Sequence, residues 1–196
     1  MEITTEQVKE LRDKTGISVM QCRKALEDSN GDTEKALTLL KKKGADIASK
    51  KADRVLKAGR IAGYVHGVGT VGAMVEISSE TDFVSKHEDF AKLSYDIAMQ
   101  IAATKPEYLK REDVPQEEKD KLAEAFKGEL EGKPEAIKEK ILQGKMDSYF
   151  KEKVLLEQEF IKDPNFTIQG LIEAAIQKFG EKIEIARFVR FGVSGK

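Results

Sequence analysis

Apolar residues in the first fifty positions recur at helical spacing, and polar capping residues divide them into three runs. Thr4 and Gln7 have capping-box spacing, in which each side chain takes up a free backbone N–H of the helix start. Val8 and Leu11 form the apolar stripe behind them. Gly16 ends that run. Ser18 and Gln21 repeat the box, with Met20, Cys22, Ala25 and Leu26 assigned to the buried side of a second helix. Asn30-Gly31 breaks this helix, and Asp32 is a good N-cap for a third that carries Ala36, Leu37 and Leu40. Lys41, Lys42 and Lys43 follow where cations favour a helix C-terminus, and Gly44 reads as the stop.

From Ile61 the period changes to alternation. Ile61–His66 reads as a strand and Gly67–Thr70 as a turn. Val71, Ala73, Val75 and Ile77 then alternate with Gly72, Met74, Glu76 and Ser78 as a half-buried strand, so a β-hairpin is predicted. Gly67, Gly69 and Gly72 satisfy G-x-G-x-x-G, but a dinucleotide loop needs a helix to begin there and alternating sequence follows instead. After Thr81-Asp82-Phe83-Val84, Ser85 and Glu88 have capping-box spacing. Phe90, Leu93, Ile97 and Ile101 share the helical face that follows, closed by Lys105-Pro106. Residues 111–135 read as polar surface helix and loop. Ala136-Ile137, Ile141-Leu142, Tyr149-Phe150 and Val154-Leu155-Leu156 are assigned to core. Leu171, Ile172, Ala175, Ile176 and Phe179 make another amphipathic face, stopped by Gly180. The last strand, Ile183 to Phe191, loses its alternation near Arg187, through a bulge or through burial on both faces. The fold class is α+β. A three-helix module over 1–53 is joined by a helical linker to a core, 54–196, with helices packed on a small antiparallel sheet.

Composition narrows the chemistry. Hydrophobic residues make up 40% of the 196 and charged residues 35%, enough for a core under a highly charged surface. A formal net charge of −1 favours neither a nucleic-acid nor a membrane partner. Eight basic residues against Asp46 and Asp53 over 41–60 form a stripe without aromatic residues, which reads as a solvated linker helix or, alternatively, a nucleic-acid contact. Two histidines (His66, His87) and one cysteine (Cys22) leave little for a zinc site, and no P-loop sequence is present. No cofactor or metal is expected. No apolar run approaches a bilayer span, Met1–Lys14 is too polar for a signal peptide, and the single cysteine fits a reducing cytoplasm.

The N-terminal module resembles ubiquitin-associated domains, which dock partners through the loop between their first two helices, here Thr15-Gly16-Ile17-Ser18. The alternative is a small helical cap on the next domain.

Two longer stretches resemble the translation elongation factor Ts family. They are Leu11-Arg12-Asp13-Lys14-Thr15-Gly16-Ile17-Ser18-Val19-Met20-Gln21-Cys22-Arg23-Lys24-Ala25-Leu26 and Glu76-Ile77-Ser78-Ser79-Glu80-Thr81-Asp82-Phe83-Val84-Ser85-Lys86. Asp96–Met99 through Lys105-Pro106-Glu107, and Arg187–Phe191, are similar to family sequence as well. Arg23 stands where the family usually has Lys, Gln21 where it often has Asp, and Ser78 where it often has Asn. The chain looks like the short, single-core form, so the resemblance implies a homodimer. It also implies a cytoplasmic exchange factor, not an enzyme, that binds elongation factor Tu and releases its GDP. No direct nucleic-acid or membrane contact is implied.

On that resemblance Thr81, Asp82, Phe83 and Val84 form the exchange wedge, with Asp82 and Phe83 entering near the partner's magnesium and phosphate site. Val19, Met20 and Arg23 are a second contact, and His66 a third on the core surface. Each has a plainer reading. Phe83, Phe90 and Ile97 are seven apart, so Phe83 fits the first core residue of a longer helix, and Asp82 fits an ordinary N-cap. Met20 fits core as well as contact, and His66 an exposed polar residue. Three rival functions follow: a peptide-binding adaptor built on 1–53, a nucleic-acid binder using 41–60, and a nucleotide-dependent enzyme.

Overall fold

The computed structural model describes residues 3–127 and 134–193. Helix α1 (Thr5–Thr15) starts at the complete capping box: the Gln7 N–H donates to Thr4 Oγ1 and the Thr4 N–H to Gln7 Oε1. It ends at Gly16, whose φ of +67° suits glycine. Helix α2 (Val19–Asp28) has Ser18 as its cap, accepting from the Gln21 N–H at 3.4 Å. The second half of that box is absent, because the Gln21 side chain accepts from Gln177 instead. Asn30 and Gly31, both at positive φ, turn the chain into α3 (Thr33–Lys50), capped by Asp32 as predicted.

Two assignments in this module need correction. Met20 is 78% exposed rather than core. It lies two residues before buried Cys22, roughly 160° around the helix from it. Helix α3 also runs through Gly44 to Lys50. A Cβ on this buried glycine would stand 3.3 Å from both Gln177 Oε1 and the Glu173 carbonyl oxygen. Gly44 is therefore a close-approach residue inside a helix, not a stop, and the linker is helical only to Lys50. Val8, Leu11, Ile17, Cys22, Ala25, Leu26, Ala36 and Leu40 form the module's core.

Strand β1 (Ala58–His66) and β2 (Val71–Ser79) make the predicted hairpin, with Gly67 and Gly69 at positive φ in its turn. Ala73, Val75, Ile77 and Ser79 point inward along β2. A one-turn helix α4 (Asp82–Ser85) precedes α5 (Glu88–Thr104), in which Phe90, Ile97 and Ile101 are fully buried. Helices α6 (Gln116–Lys127) and α7 (Glu135–Lys153) follow. The predicted polar stretch 111–135 therefore lies partly outside the described residues, as does the side chain of Ala136. Ile137, assigned to core, is exposed; Phe150, Val154 and Leu155 are buried as expected. A two-stranded sheet of β3 (Glu159–Phe160) and β4 (Asp163–Thr167) leads into α8 (Ile168–Phe179) and β5 (Ile183–Gly192). The larger sheet has the order β1-β2-β5. Along β5 burial passes from Ile183 and Ile185 to the even positions Phe188, Arg190 and Gly192. That is a one-residue slip in alternation at Ala186-Arg187, not burial on both faces.

Contacts divide the chain into two compact units. One contains the residues up to Ala62, Val75–Asp96 and Gln169–Ala186; the other contains Gly63–Met74, Ile97–Ile168 and the residues from Arg187 on. In the second, Gln100 on α5 bonds Gln158, Glu159 and Ile161, and Arg111 pairs with Asp147 and Glu157 while lying over the Phe150 ring. No helix among the described residues is long and apolar enough to cross a membrane.

Candidate functional site

Strand β2 delivers the chain into α4, whose single turn sorts its side chains sharply. Val84 points into the protein and is buried, while Phe83 points out and is 78% exposed. Phe83 is therefore not the first core residue of a longer helix. Ser85 is buried in α4 and donates its hydroxyl to the Asp82 carbonyl, so it does not cap α5. His87 does so instead: its Nδ1 accepts the Asp89 N–H at 3.1 Å.

Asp82 is the first residue of α4 rather than its cap. It pairs with Lys86 at 2.6 Å, and the hydrogen bond from that ammonium holds the carboxyl below its ordinary range. The tip thus presents one anionic carboxylate and one bare aromatic ring, side by side. Fully burying such a ring on a partner is worth about 1.5–3 kcal/mol.

Thr81 occupies the N-cap position, yet its hydroxyl makes no cap bond. That hydroxyl donates to Glu181 Oε1 at 2.6 Å, and the Thr81 N–H donates to Glu181 Oε2 at 3.0 Å. The exchange is reciprocal, since Glu80 accepts the Lys182 N–H and pairs with Arg54 at 3.1 Å. Lys51 adds a third tie, donating to the Gly180 carbonyl at 2.7 Å. Two cations of the basic stripe are thus engaged with the protein's own backbone and carboxylates. Glu181 and Glu80 escaped the sequence reading because their partners lie 100 and 102 residues away, a separation that no local pattern encodes.

The Lys182 N–H, more than Arg54, holds the Glu80 carboxyl below its ordinary range. A depressed carboxyl favours the folded state above its unfolded pKa, and that contribution fades as pH falls through the folded value. Urea unfolding is therefore expected to show stability lost on acidification below about pH 4.3, the usual glutamate range. Glu80→Gln should flatten this loss, and an unchanged acid limb would show that the bond carries no linkage.

Val19 (51% exposed), Met20 and Arg23 share one face of α2, at i, i+1 and i+4. Arg23 bonds Glu27 at 3.1 Å and stays largely solvated. Helix α8 packs against α2 and against the start of α5. Gln177 donates to Gln21 on α2, Lys178 pairs with Asp89 at 2.7 Å, and Phe179 makes T-shaped ring contacts with His87 and Phe90. His66 belongs to the other compact unit, exposed at the end of β1, with its Nδ1 2.9 Å from Tyr64 Oη.

The family described as Elongation factor TS matches residues 2–195. The chain belongs to the elongation factor Ts family. A protein called elongation factor Ts from Carboxydothermus hydrogenoformans is 50% identical over 191 residues, covering 96% of this chain and 88% of that one. Its counterpart from Syntrophomonas wolfei is 51% identical over 193 residues, 97% and 90% of the two chains. That from Thermodesulfovibrio yellowstonii is 50% identical over 194 residues, 98% and 97%. Membership of the elongation factor Ts family carries a role in translation elongation. The exposed α4 tip and the α2 face fall in the two stretches quoted above for their resemblance to this family.

Proposed function

We propose that this protein binds elongation factor Tu carrying GDP and speeds GDP release, with Asp82 and Phe83 as the wedge. The observation that carries the reading is Phe83, a phenylalanine held 78% exposed while its neighbour Val84 is buried. Bound Mg²⁺ holds GDP through phosphate oxygens and water, so an anion and a ring entering beside it loosen the whole site. Burial of one ring weakens GDP binding by about ten- to hundredfold, at about 1.4 kcal/mol per tenfold. A strong exchange factor needs further contacts. Val19, Met20 and Arg23 on the 1–53 module supply one of them, and His66 on the 54–196 core supplies another.

The protein supplies binding energy and no covalent chemistry, and it acts in the cytoplasm without a cofactor of its own. Its coupling to GDP is reciprocal: GDP weakens its grip on the partner by the same factor, and incoming nucleotide drives it off. The test is release of a fluorescent GDP analogue from purified elongation factor Tu at substoichiometric amounts of this chain. Many turnovers per molecule are expected. Release no faster than the spontaneous rate would end the reading.

The working unit is a homodimer. Val65, Val68, Phe191 and Val193 are exposed on the second unit, Phe191 at 65%, and the Val193 N–H bonds the Thr70 carbonyl. A second copy covering this apolar strip removes it from water. Sedimentation equilibrium should give twice 21.9 kDa for the wild type and 21.9 kDa for Phe191→Glu. A monomeric wild type at micromolar concentration would assign the strip elsewhere.

A further inference from the structure

We propose that Glu181 is a positioning residue for exchange: by clasping Thr81 it fixes the direction in which Phe83 leaves the protein. The inference rests on the wedge reading above and names the device that makes the wedge effective. A four-residue helix makes few internal hydrogen bonds and cannot hold a side chain's direction by itself. Here its N-terminus forgoes the usual cap, because the Thr81 hydroxyl is committed to Glu181 Oε1 at 2.6 Å. The other carboxylate oxygen takes the Thr81 N–H at 3.0 Å, so both groups that set the entry angle of the helix are held by one side chain.

The clasp is anchored at its own base. Glu181 follows Gly180, which ends α8 at a φ of +71° and whose carbonyl accepts Lys51 Nζ at 2.7 Å. Lys182 on its other side gives its N–H to Glu80, immediately before Thr81. Ser79 adds a hydroxyl bond to the Thr81 carbonyl at 3.0 Å. Glu80 and Thr81 are thus held by Lys182 and Glu181, and the exposed ring follows two residues after Thr81. A tip ordered before binding avoids the entropy of being ordered during it, which is how preorganisation raises affinity without a new contact.

A merely structural glutamate would lower stability and slow exchange independently of Thr81. A positioning glutamate acts through Thr81, so a double-mutant cycle separates the two roles. The full-length wild type, Glu181→Ala, Thr81→Val, the double variant and Phe83→Ala are compared in GDP release from elongation factor Tu as a function of their concentration. Hydrogen exchange at the residue 81 amide and the thermal midpoint are measured on the free proteins.

Glu181→Ala is expected to lower the exchange efficiency by about tenfold, equivalent to about 1.4 kcal/mol, through a weaker half-saturating concentration. The loss in the double variant should be smaller than the product of the single losses, with the residue 81 amide exposed to exchange in Glu181→Ala. Fully multiplicative losses would overturn the proposal, and so would wild-type efficiency in Glu181→Ala beside a deficient Phe83→Ala; both would leave the wedge standing. Wild-type efficiency in Phe83→Ala beside a deficient Glu181→Ala would remove the wedge reading instead, and the proposal with it.

Discussion

Phe83→Ala is expected to cut the efficiency of GDP release by about ten- to hundredfold while leaving the thermal midpoint where it was. The two halves of this result have separate causes. Phe83 is 78% exposed in the free protein, so on the proposed wedge reading its burial, worth about 1.5–3 kcal/mol, is gained only in the complex. In the free protein it supports nothing: Val84 and Phe90 carry the packing on either side of it. Substitutions at such positions move stability by about 0.5 kcal/mol or less. Exchange kinetics at limiting concentration, with calorimetry on the same samples, make the comparison. Unchanged exchange would move the mechanism to Asp82 and the α2 face; a large drop in midpoint would mean that Phe83 packs against the protein in solution.

Leu26→Ala should strongly destabilise the N-terminal module. Leu26 is fully buried in a cluster of eight residues, and removing such a side chain from a core costs about 2–5 kcal/mol. A three-helix unit of this size has little to spare against a loss of that order. Hydrogen exchange should therefore show α1 to α3 losing protection while β2 and the second half of α5 keep theirs. GDP release should fall too, because Val19, Met20 and Arg23 lose the helix that aligns them while the α4 tip stays intact. Met20→Ala, two turns away on the exposed face, is the contrast: exchange falls and protection does not. Equal protection in Leu26→Ala and wild type would show that the module borrows its stability from elsewhere in the chain.

The elements most legible in the sequence are those whose cause is local. Gly16, Gly31, Gly67, Gly69 and Gly180 all stand at positive φ, where a side chain is strained and glycine marks the turn. The caps at Thr4, Ser18 and Asp32 likewise depend on residues within four positions. Gly44 was misread because its reason lies 129 and 133 positions on, at the Glu173 and Gln177 of α8. The Ser85 and Glu88 spacing misled for a related reason: the serine hydroxyl had a nearer acceptor in Asp82, and His87 took the cap. The β3–β4 pair went unseen because Asp163-Pro164-Asn165 has the composition of a turn.

The candidate site divides the same way. Motif resemblance singles out Thr81 to Val84 and the start of α2, and the fold decides which of them face solvent. Periodicity by itself pointed the other way for Phe83, since seven-residue spacing to Phe90 and Ile97 is indistinguishable from a continuing stripe. A break of two residues between α4 and α5 turns the ring out. The bonds from Glu80 and Glu181 had no signature at all, because hydrogen bonds between distant segments leave no period in a sequence.

Cys22, the sole thiol, sits at the centre of the N-terminal core, and burial raises its pKa. A thiol both shielded and kept protonated reacts with alkylating reagents only when its surroundings open. The protein therefore carries an intrinsic clock: the speed at which this sulfur is labelled reports how often the three helices come apart, with no dye or engineered site, and engagement of α2 by a partner would slow it.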